Sequence, residues 1–253
     1  MSLFGKNDKI AIERLRAFED IALAKNTDGF YLGYSGGKDS DVILDLARRS
    51  GVKFKAYHHL TTADPPEVVW HVKEQPDVII VKPKETMWQL IRRNKMPPRR
   101  QARYCCRTQK ESQLVKECIV VTGVRWAESA NRSKRRMIET CFQTKTKQYL
   151  HVIIDWSTEE VWEYIKSRGI KYCSLYDEGF KRIGCVLCPM NRQVQLHLQR
   201  WPKVCRAWEK AVKATFVLGK TKFTTAEEYW QWWLNRDASS KKVNDEQMLF
   251  FED

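Results

Sequence analysis

Two groups of residues in this chain have the types and the spacing that chemistry requires. The first is a set of four cysteines, the adjacent pair Cys105 and Cys106 and the CxxC pair Cys185 and Cys188. Four thiolates can hold a [4Fe-4S] cluster or a structural zinc ion. The two pairs lie far apart in the sequence, so the fold must bring them together. Adjacent cysteines are awkward ligands for tetrahedral zinc, but the residues alone leave the cluster, zinc and free thiols open.

The second group is the loop from Ser35 to Ser40, with the sequence SGGKDS. Gly36 and Gly37 have no side chains, so phosphate oxygens could approach backbone N–H groups at the start of the next helix. Lys38 adds a positive charge, the two serines offer hydroxyls, and Asp39 could orient the loop or reach Mg2+. A Walker loop needs Ser or Thr directly after its lysine, where this chain has Asp39. The pattern predicts a phosphate-binding loop of another kind.

The elements around the loop alternate between strand and helix. A strand is predicted over Gly29–Tyr34, followed by the loop and by a helix that ends near Ser50 and Gly51. Further buried strands are predicted at residues 53–59, 77–81 and 118–122, and a helix at 67–74. This alternation predicts an α/β fold with a doubly wound, mostly parallel sheet and helices on both faces. Such sheets bind ligands beyond the carboxyl ends of their strands.

Four more residues are expected at that ligand edge. Asp64 follows the second predicted strand, and Gly123 and Arg125 follow the fourth. Arg132 lies in the basic run after them. This run has two interpretations: its side chains contact an anion, or they are solvated surface charges. Lys38 and Arg125 are the candidate catalytic residues, since a positive charge there could stabilise a phosphate in the transition state.

The remaining sequence predicts helices around this core and after it. An opening helix is expected at residues 9–25, two short strands within 138–154, and a helix from the N-cap Ser157 to Arg168. Helices rich in tryptophan are predicted at 193–218 and 225–235. We therefore expect a nucleotide-binding domain with the iron-sulfur site at residues 1–190 and a helical C-terminal appendage at 191–253.

Composition narrows the class of partner. The 253 residues include 45 Lys and Arg against 31 Asp and Glu, a formal charge of +14. Such a charge favours phosphate-rich partners, either nucleic acid or a charged nucleotide. No leader sequence and no apolar run of membrane-spanning length is evident, so a cytoplasmic location is expected, with thiols or metal ligands in preference to disulfides.

Several motifs together resemble the phosphoadenosine phosphosulfate (PAPS) reductase family of the PP-loop ATP pyrophosphatase superfamily. In chain order they are SGGKDS at 35–40, Arg103-Tyr-Cys-Cys106, Gly123-Val-Arg-Trp-Ala-Glu-Ser129 with Arg132, Trp156-Ser157 with Val161-Trp162, and Gly184-Cys-Val-Leu-Cys188-Pro189. The resemblance implies an adenine nucleotide alpha hydrolase-like fold. It implies nucleotide contacts from the loop, Arg125 and Arg132, whereas Asp64 and Gly123 are expected at the site from their positions after strands. It also implies a [4Fe-4S] cluster on the four cysteines, as in the adenylyl-sulfate reductases.

The resemblance leaves three functions open. One is a reductase that releases sulfite from adenylyl sulfate or its 3'-phosphorylated form (APS or PAPS). Reductases of the family carry their nucleophile in a C-terminal Glu-Cys-Gly-Leu-His segment, whereas this sequence has no cysteine after Cys205. The second, which we favour because the loop is intact, is an ATP pyrophosphatase that adenylates an acceptor with Mg2+. Sulfur transfer to DNA or tRNA would follow, with a cysteine desulfurase or other sulfur or electron donor. The third is a non-catalytic iron-sulfur protein that binds nucleic acid.

The other conspicuous residues have simpler interpretations. Cys118 and Cys205 are expected in the core, and Cys141 and Cys173 are weaker candidates for carrying sulfur. His58 and His59 are expected to pack at a strand end. The tryptophans of the last two helices are expected to be core residues more than stacking platforms for bases.

Overall fold

The computed structural model contains a six-stranded sheet and describes residues 4–111, 115, 117–141 and 145–235. The strand order is β3-β2-β1-β4-β6-β5. All neighbouring strands are parallel except β5 and β6, which are antiparallel. The strands are β1 Phe30–Gly33, β2 Phe54–His59, β3 Val78–Val81, β4 Ile119–Val121, β5 Ile138–Thr140 and β6 Gln148–Leu150. The α/β prediction with a mostly parallel sheet is confirmed.

The order of the strands reverses at β1. Tyr31 of β1 pairs with Lys55 of β2 on one side and with Val120 of β4 on the other. The chain builds outward from β1 through β2 to β3 and then returns to place β4 on the free side of β1. The loops after β1 and β4 therefore leave the sheet side by side, at the switch point where open α/β sheets bind ligands.

Ten α-helices are described around and after the sheet. They are α1 Phe4–Ala17, α2 Glu19–Lys25, α3 Lys38–Ser50, α4 Pro66–Lys73, α5 Met87–Asn94, α6 Tyr104–Gln109, α7 Thr158–Arg168, α8 Val194–Arg200, α9 Pro202–Lys213 and α10 Ala226–Leu234. Helix α3 ends at Gly51 in the left-handed conformation, and Ser157 caps α7 with a capping box, as their sequences predict. No described helix has both the length and the apolar character needed to cross a membrane.

Two predicted helices are each divided in the structure. The opening helix breaks at Phe18, whose N–H reaches back to the carbonyl of Leu15 in a tighter turn (3.2 Å). The helix expected at 193–218 divides between Trp201 and Pro202 and ends at Lys213. Pro202 has no N–H to continue the earlier helix and restricts Trp201 before it, so it begins a new helix instead.

The chain contains two compact units that are not continuous in sequence. The first consists of the described residues of Met1–Pro83 and Gln109–Gly184, and the second of those of Lys84–Thr108 and Cys185–Asp253. The predicted domain boundary at residue 190 stays a prediction. In the second unit, Trp208 stacks on Trp233 with ring centroids 5.0 Å apart, and Trp230 stacks on Trp233 at 5.4 Å. These rings are buried, which confirms their assignment to the core.

Candidate functional site

The loops after β1 and β4 meet at the first turn of α3. A Cβ atom at Gly123, after β4, would lie 2.9 Å from Cβ of Asp39 and 3.0 Å from its carbonyl oxygen. Only glycine therefore allows the β4 loop to lie this close to the start of α3. The structure thus brings Gly123 to the phosphate loop, as expected from the predicted sheet.

The phosphate loop is compact because its two glycines permit it. Gly36 has a φ of +75°, and a Cβ there would lie 3.0 Å from a methyl of Val68 and 3.1 Å from a methyl of Val72, both on α4. Gly37 is the N-cap of α3 and has no side chain that could cap the helix. The loop backbone thus passes close to α4 and presents the positive end of α3.

The two serines of the loop close it on itself. The Ser40 hydroxyl donates to the Gly37 carbonyl (2.7 Å), and the Ser35 hydroxyl donates to the Ser40 oxygen (3.2 Å). The Gly37 N–H in turn points to the Ser35 hydroxyl at 3.4 Å. Both hydroxyls therefore stabilise the turn, and their predicted contact with a nucleotide stays a prediction.

A row of alternating charges links the loop to β4. Lys38 Nζ lies 3.1 Å from Asp39 Oδ2, and Arg125 Nε lies 2.7 Å from Asp39 Oδ1. Arg125 is only 1% exposed, and its guanidinium also donates to the Trp156 carbonyl (3.1 Å). A buried guanidinium needs such partners. Arg125 therefore positions Asp39 in this structure, and its predicted contact with phosphate stays a prediction.

Arg132 and Asp64 lie in loops with partners of their own. Arg132 forms an ion pair with Glu128, which also accepts the backbone N–H of Arg125 (2.9 Å). Asp64 accepts from the backbone N–H and the hydroxyl of Thr61 (2.6 and 2.8 Å), closing the turn after β2. The nucleotide contacts expected from both residues stay predictions.

Tyr176 belongs to this site although the sequence alone did not single it out. Its hydroxyl accepts the backbone N–H of Lys38 at the first residue of α3 (3.0 Å), and Lys38 Nζ lies 5.7 Å from the ring centre. Burial raises the pKa of the Tyr176 hydroxyl, so the group stays protonated and can donate to an anion while accepting from Lys38. The sequence signal for it was the set of aromatic residues that pack around its ring. The ring centroids of Trp162 and Tyr172 lie 5.0 and 6.3 Å from that of Tyr176.

A buried polar group behind the loop was also missed. The Tyr34 hydroxyl donates to Asp41 Oδ1 (2.5 Å), and His71 Nε2 lies 2.9 Å from the same oxygen. Asp41 lies in the first turn of α3, where a negative charge is favourable. The loop between β1 and α3 is therefore tied to α4, which carries His71.

The four cysteines predicted as metal ligands lie in the second compact unit. The pKa of the Cys105 thiol is raised, first by its hydrogen bond with Cys106, then by burial, and then by the charges of Cys106, Cys185 and Cys188. The two distant pairs are thus close enough for their charges to interact. Within the described ranges, however, no three His, Cys, Asp or Glu side chains are grouped so that they could hold a metal ion.

The CxxC segment forms a tight turn. The Cys188 N–H donates to the Cys185 carbonyl (3.1 Å), and Leu187 between them has a φ of +50°. The Leu187 N–H donates to Nδ1 of the buried His197 (3.0 Å), and Asn191 donates its N–H to the Cys188 carbonyl (2.8 Å). These bonds hold both thiols of the pair on one turn.

Three of the remaining cysteines, Cys118, Cys173 and Cys205, and the paired histidines are buried. Cys118 packs with Tyr31 and Val120, which confirms its assignment to the core. Burial raises the pKa of Cys173 to about 11, which keeps it a thiol at neutral pH and weakens its case as a sulfur carrier. His59 lies 2.5 Å from the Tyr31 hydroxyl, and His58 lies 3.0 Å from the Tyr34 carbonyl, so both pack at the strand end as predicted.

Two relatives and one solved structure are similar to this chain. An uncharacterized protein of Methanocaldococcus jannaschii is 23% identical over 247 residues, covering 90% of this chain and 57% of that protein. The adenosine 5'-phosphosulfate reductase of Oceanobacillus iheyensis is 33% identical over 98 residues, covering 36% of this chain and 39% of that enzyme. The chain thus spans less than two thirds of the length of each relative.

The fold and the family agree. The crystal structure of a phosphoadenylyl-sulfate reductase from Candida auris, a phosphate complex, has a TM-score of 0.53 at 20% identity, covering 73% of this chain and 96% of that one. The sequence model described as the phosphoadenosine phosphosulfate reductase domain matches residues 30–191, which include the phosphate loop and both cysteine pairs. With well over half of its length matched, the chain belongs to the phosphoadenosine phosphosulfate reductase domain family.

Proposed function

We propose that this protein is a PP-loop ATP pyrophosphatase that adenylates an acceptor, in preparation for sulfur transfer to nucleic acid. The observation that supports it is the glycine loop at the switch point, which leads directly into the N-terminus of α3 and is followed by the charge of Lys38. An intact loop of this kind suits the two phosphates that leave as pyrophosphate.

The chemistry needs charge stabilisation more than proton transfer. An acceptor oxygen attacks the α phosphorus of ATP, the bond to the bridging oxygen breaks, and pyrophosphate leaves with the electron pair. Lys38 and the N-terminal amides of α3 would stabilise the charge on that pyrophosphate, and the Tyr176 hydroxyl could donate to one of its oxygens. A sulfur donor at the oxidation level of sulfide would then displace AMP from the adenylated acceptor.

The residues of the loop do not fit a Mg2+ ion held by the protein. Asp39 is the carboxylate of the loop, but its two oxygens already contact Lys38 and Arg125. Mg2+ commonly reaches such sites through the phosphates of its nucleotide. The proposed reaction uses no ion bound to Asp39.

The cysteines do fit a [4Fe-4S] cluster. Cys105, Cys106, Cys185 and Cys188 are four thiols in one compact unit whose charges interact. In such a cluster each thiolate binds a different iron, so the sulfurs need not converge on one point as they do around zinc. When bound, the cluster would supply a site for sulfur or for electrons. Its proximity to the phosphate loop stays a prediction.

A sulfonucleotide reductase is the second candidate, because the adenosine 5'-phosphosulfate reductase of Oceanobacillus iheyensis is among the similar proteins. That reaction needs a thiolate to attack sulfur. Burial raises the pKa of Cys173 and of Cys205, each to about 11, so neither is a ready nucleophile at neutral pH.

One experiment separates the two reactions. Anaerobically purified protein is incubated with ATP and a mixture of DNA and tRNA as acceptor, or with adenylyl sulfate and dithiothreitol as reductant, and pyrophosphate and sulfite are measured. We expect pyrophosphate from ATP, lowered about 10²- to 10³-fold in Lys38→Gln. The matched control is Lys55→Gln, since Lys55 is exposed on β2 and pairs with Asp28. Sulfite without pyrophosphate would refute the proposal.

The cluster is tested by its metal content. We expect about four irons per chain in anaerobic wild-type protein and loss of iron and of visible absorbance in Cys105→Ser or Cys185→Ser. Cys141→Ser is the matched control, since this half-buried cysteine belongs to the other compact unit. Stoichiometric zinc in place of iron would contradict the assignment.

A further inference from the structure

The second compact unit contains a groove lined by residues that have no role in the proposed reaction. Its volume is about 730 Å³, within the range of ligand sites. Helices α8, α9 and α10 line it together with two loops. One loop contributes Arg100, which precedes Cys105, and the other contributes Pro189 and Arg192, which follow Cys188. The groove therefore lies between the segments that flank the two cysteine pairs.

The charge of the groove is positive. Arg100, Arg192 and Arg206 line it, and all three side chains are exposed to solvent. Among the described lining residues, Glu209 is the one carboxylate, and it pairs with Lys213 at 2.6 Å. Three guanidinium groups against one carboxylate give the lining a net positive charge that an anionic ligand could neutralise.

The rest of the lining consists of amides and apolar side chains, which an acidic peptide would not require. Exposed amides of Gln195, Gln231 and Asn235 lie around the arginines. Between them are apolar side chains, with Trp230 and Leu234 nearly buried in the floor. Arginines suit phosphates, amides can pair with base edges, and an apolar floor can contact base faces. This combination favours a strand of nucleotides.

Hydrogen bonds hold both loops of the groove in place. The Trp233 indole N–H donates to the Pro98 carbonyl (2.8 Å), close to Arg100. The Asn191 side chain lies 2.8 Å from Nε2 of His197 and fixes the loop that carries Arg192. The arginines are thus presented from an ordered framework, which lowers the entropic cost of binding.

We propose that this groove binds a short single-stranded segment of nucleic acid, with phosphates on Arg100, Arg192 and Arg206. The inference deepens the proposed function and rests on it for the identity of the strand as the acceptor. It places that strand beside the segments that flank the two cysteine pairs.

The test measures binding of labelled single-stranded DNA and RNA oligonucleotides to the full chain without ATP, by fluorescence anisotropy over a series of salt concentrations. Arg192→Gln and Arg206→Gln should each weaken binding about 5- to 10-fold. Each should lower the slope of log affinity against log salt by about 0.7, the contribution of one phosphate contact in a single strand. Lys203→Gln is the matched control, since Lys203 is exposed on α9 with Arg206 but does not line the groove. It should change affinity less than twofold.

Three outcomes would overturn the inference: no binding by the full chain, equal losses in Lys203→Gln and the groove variants, or tighter binding of duplex or of an acidic peptide. Circular dichroism of each variant checks that the fold is kept. Pyrophosphate release from ATP, measured in parallel, separates the two proposals. Failure of ATP cleavage with oligonucleotide binding intact refutes the proposed reaction alone, and the converse refutes the groove alone.

Discussion

A methyl group at Gly36 tests the geometry of the phosphate loop directly. In Gly36→Ala the new Cβ would lie 3.0 Å from Val68 and 3.1 Å from Val72, at a φ of +75°. Gly51 has nearly the same φ, +74°, but a Cβ added there would meet nothing within 4 Å, since α3 ends there at the surface. Gly51→Ala is therefore a matched control with the same backbone strain and no close contact.

The two variants should lose different amounts of stability, because only Gly36→Ala crowds α4. A left-handed conformation costs a non-glycine residue about 1–2 kcal/mol, and this applies to both variants. Overpacking adds about 1–3 kcal/mol at Gly36 alone. The free energy of unfolding should therefore fall by about 2–5 kcal/mol in Gly36→Ala and by about 1–2 kcal/mol in Gly51→Ala. ATP affinity should fall in the first variant and stay unchanged in the second.

Urea unfolding followed by tryptophan fluorescence measures both variants. Equal losses of stability within about 0.5 kcal/mol would refute the close packing of the loop on α4. A double-mutant cycle adds a second check, since Val68→Ala removes the nearest methyl. Combined with Gly36→Ala, it should cost less than the sum of the two single changes.

Three further predictions concern buried polar groups. Arg125→Met should lower the free energy of unfolding by about 2–4 kcal/mol because Asp39 loses its buried partner, whereas Arg135→Met, at an exposed pair, should cost less than about 1 kcal/mol; equal costs in urea unfolding would contradict this. Burial, then nearby positive charge, lowers the pKa of His59 to about 4, so its unfolded state binds a proton that the folded state does not. Stability should thus be complete above pH ~6.5 and fall by up to about 3 kcal/mol as the pH drops toward 4, less so in His59→Asn. An identical pH dependence in the variant would refute the assignment. Tyr176→Phe should cost about 1 kcal/mol without nucleotide, because the first amide of α3 loses its acceptor. Saturating ATP should widen that difference in thermal unfolding, because the lost hydroxyl also donates to a phosphate oxygen, and a difference that ATP leaves unchanged would argue against that contact.

Much of the phosphate-loop unit could be predicted because its signals are local. Apolar periodicity marks β1 and α3, the glycines at 36 and 37 mark the turn, and the capping box at Ser157 marks the start of α7. The division at Trp201 and Pro202 also had a local signal, in the proline, that the predicted helix passed over. Helix α5 lay in a segment for which no element was predicted, although Thr86 caps it with a capping box.

The sequence by itself determined the types of residue available for chemistry, the alternation of strand and helix, and the loop that opens α3. Only the tertiary structure decided their partners, such as Asp39 for Arg125 and Tyr176 for Lys38. These contacts depend on which strands and loops become neighbours. Periodicity and turn residues act over a few positions, whereas the placement of β4 beside β1 depends on burial summed over the whole sheet.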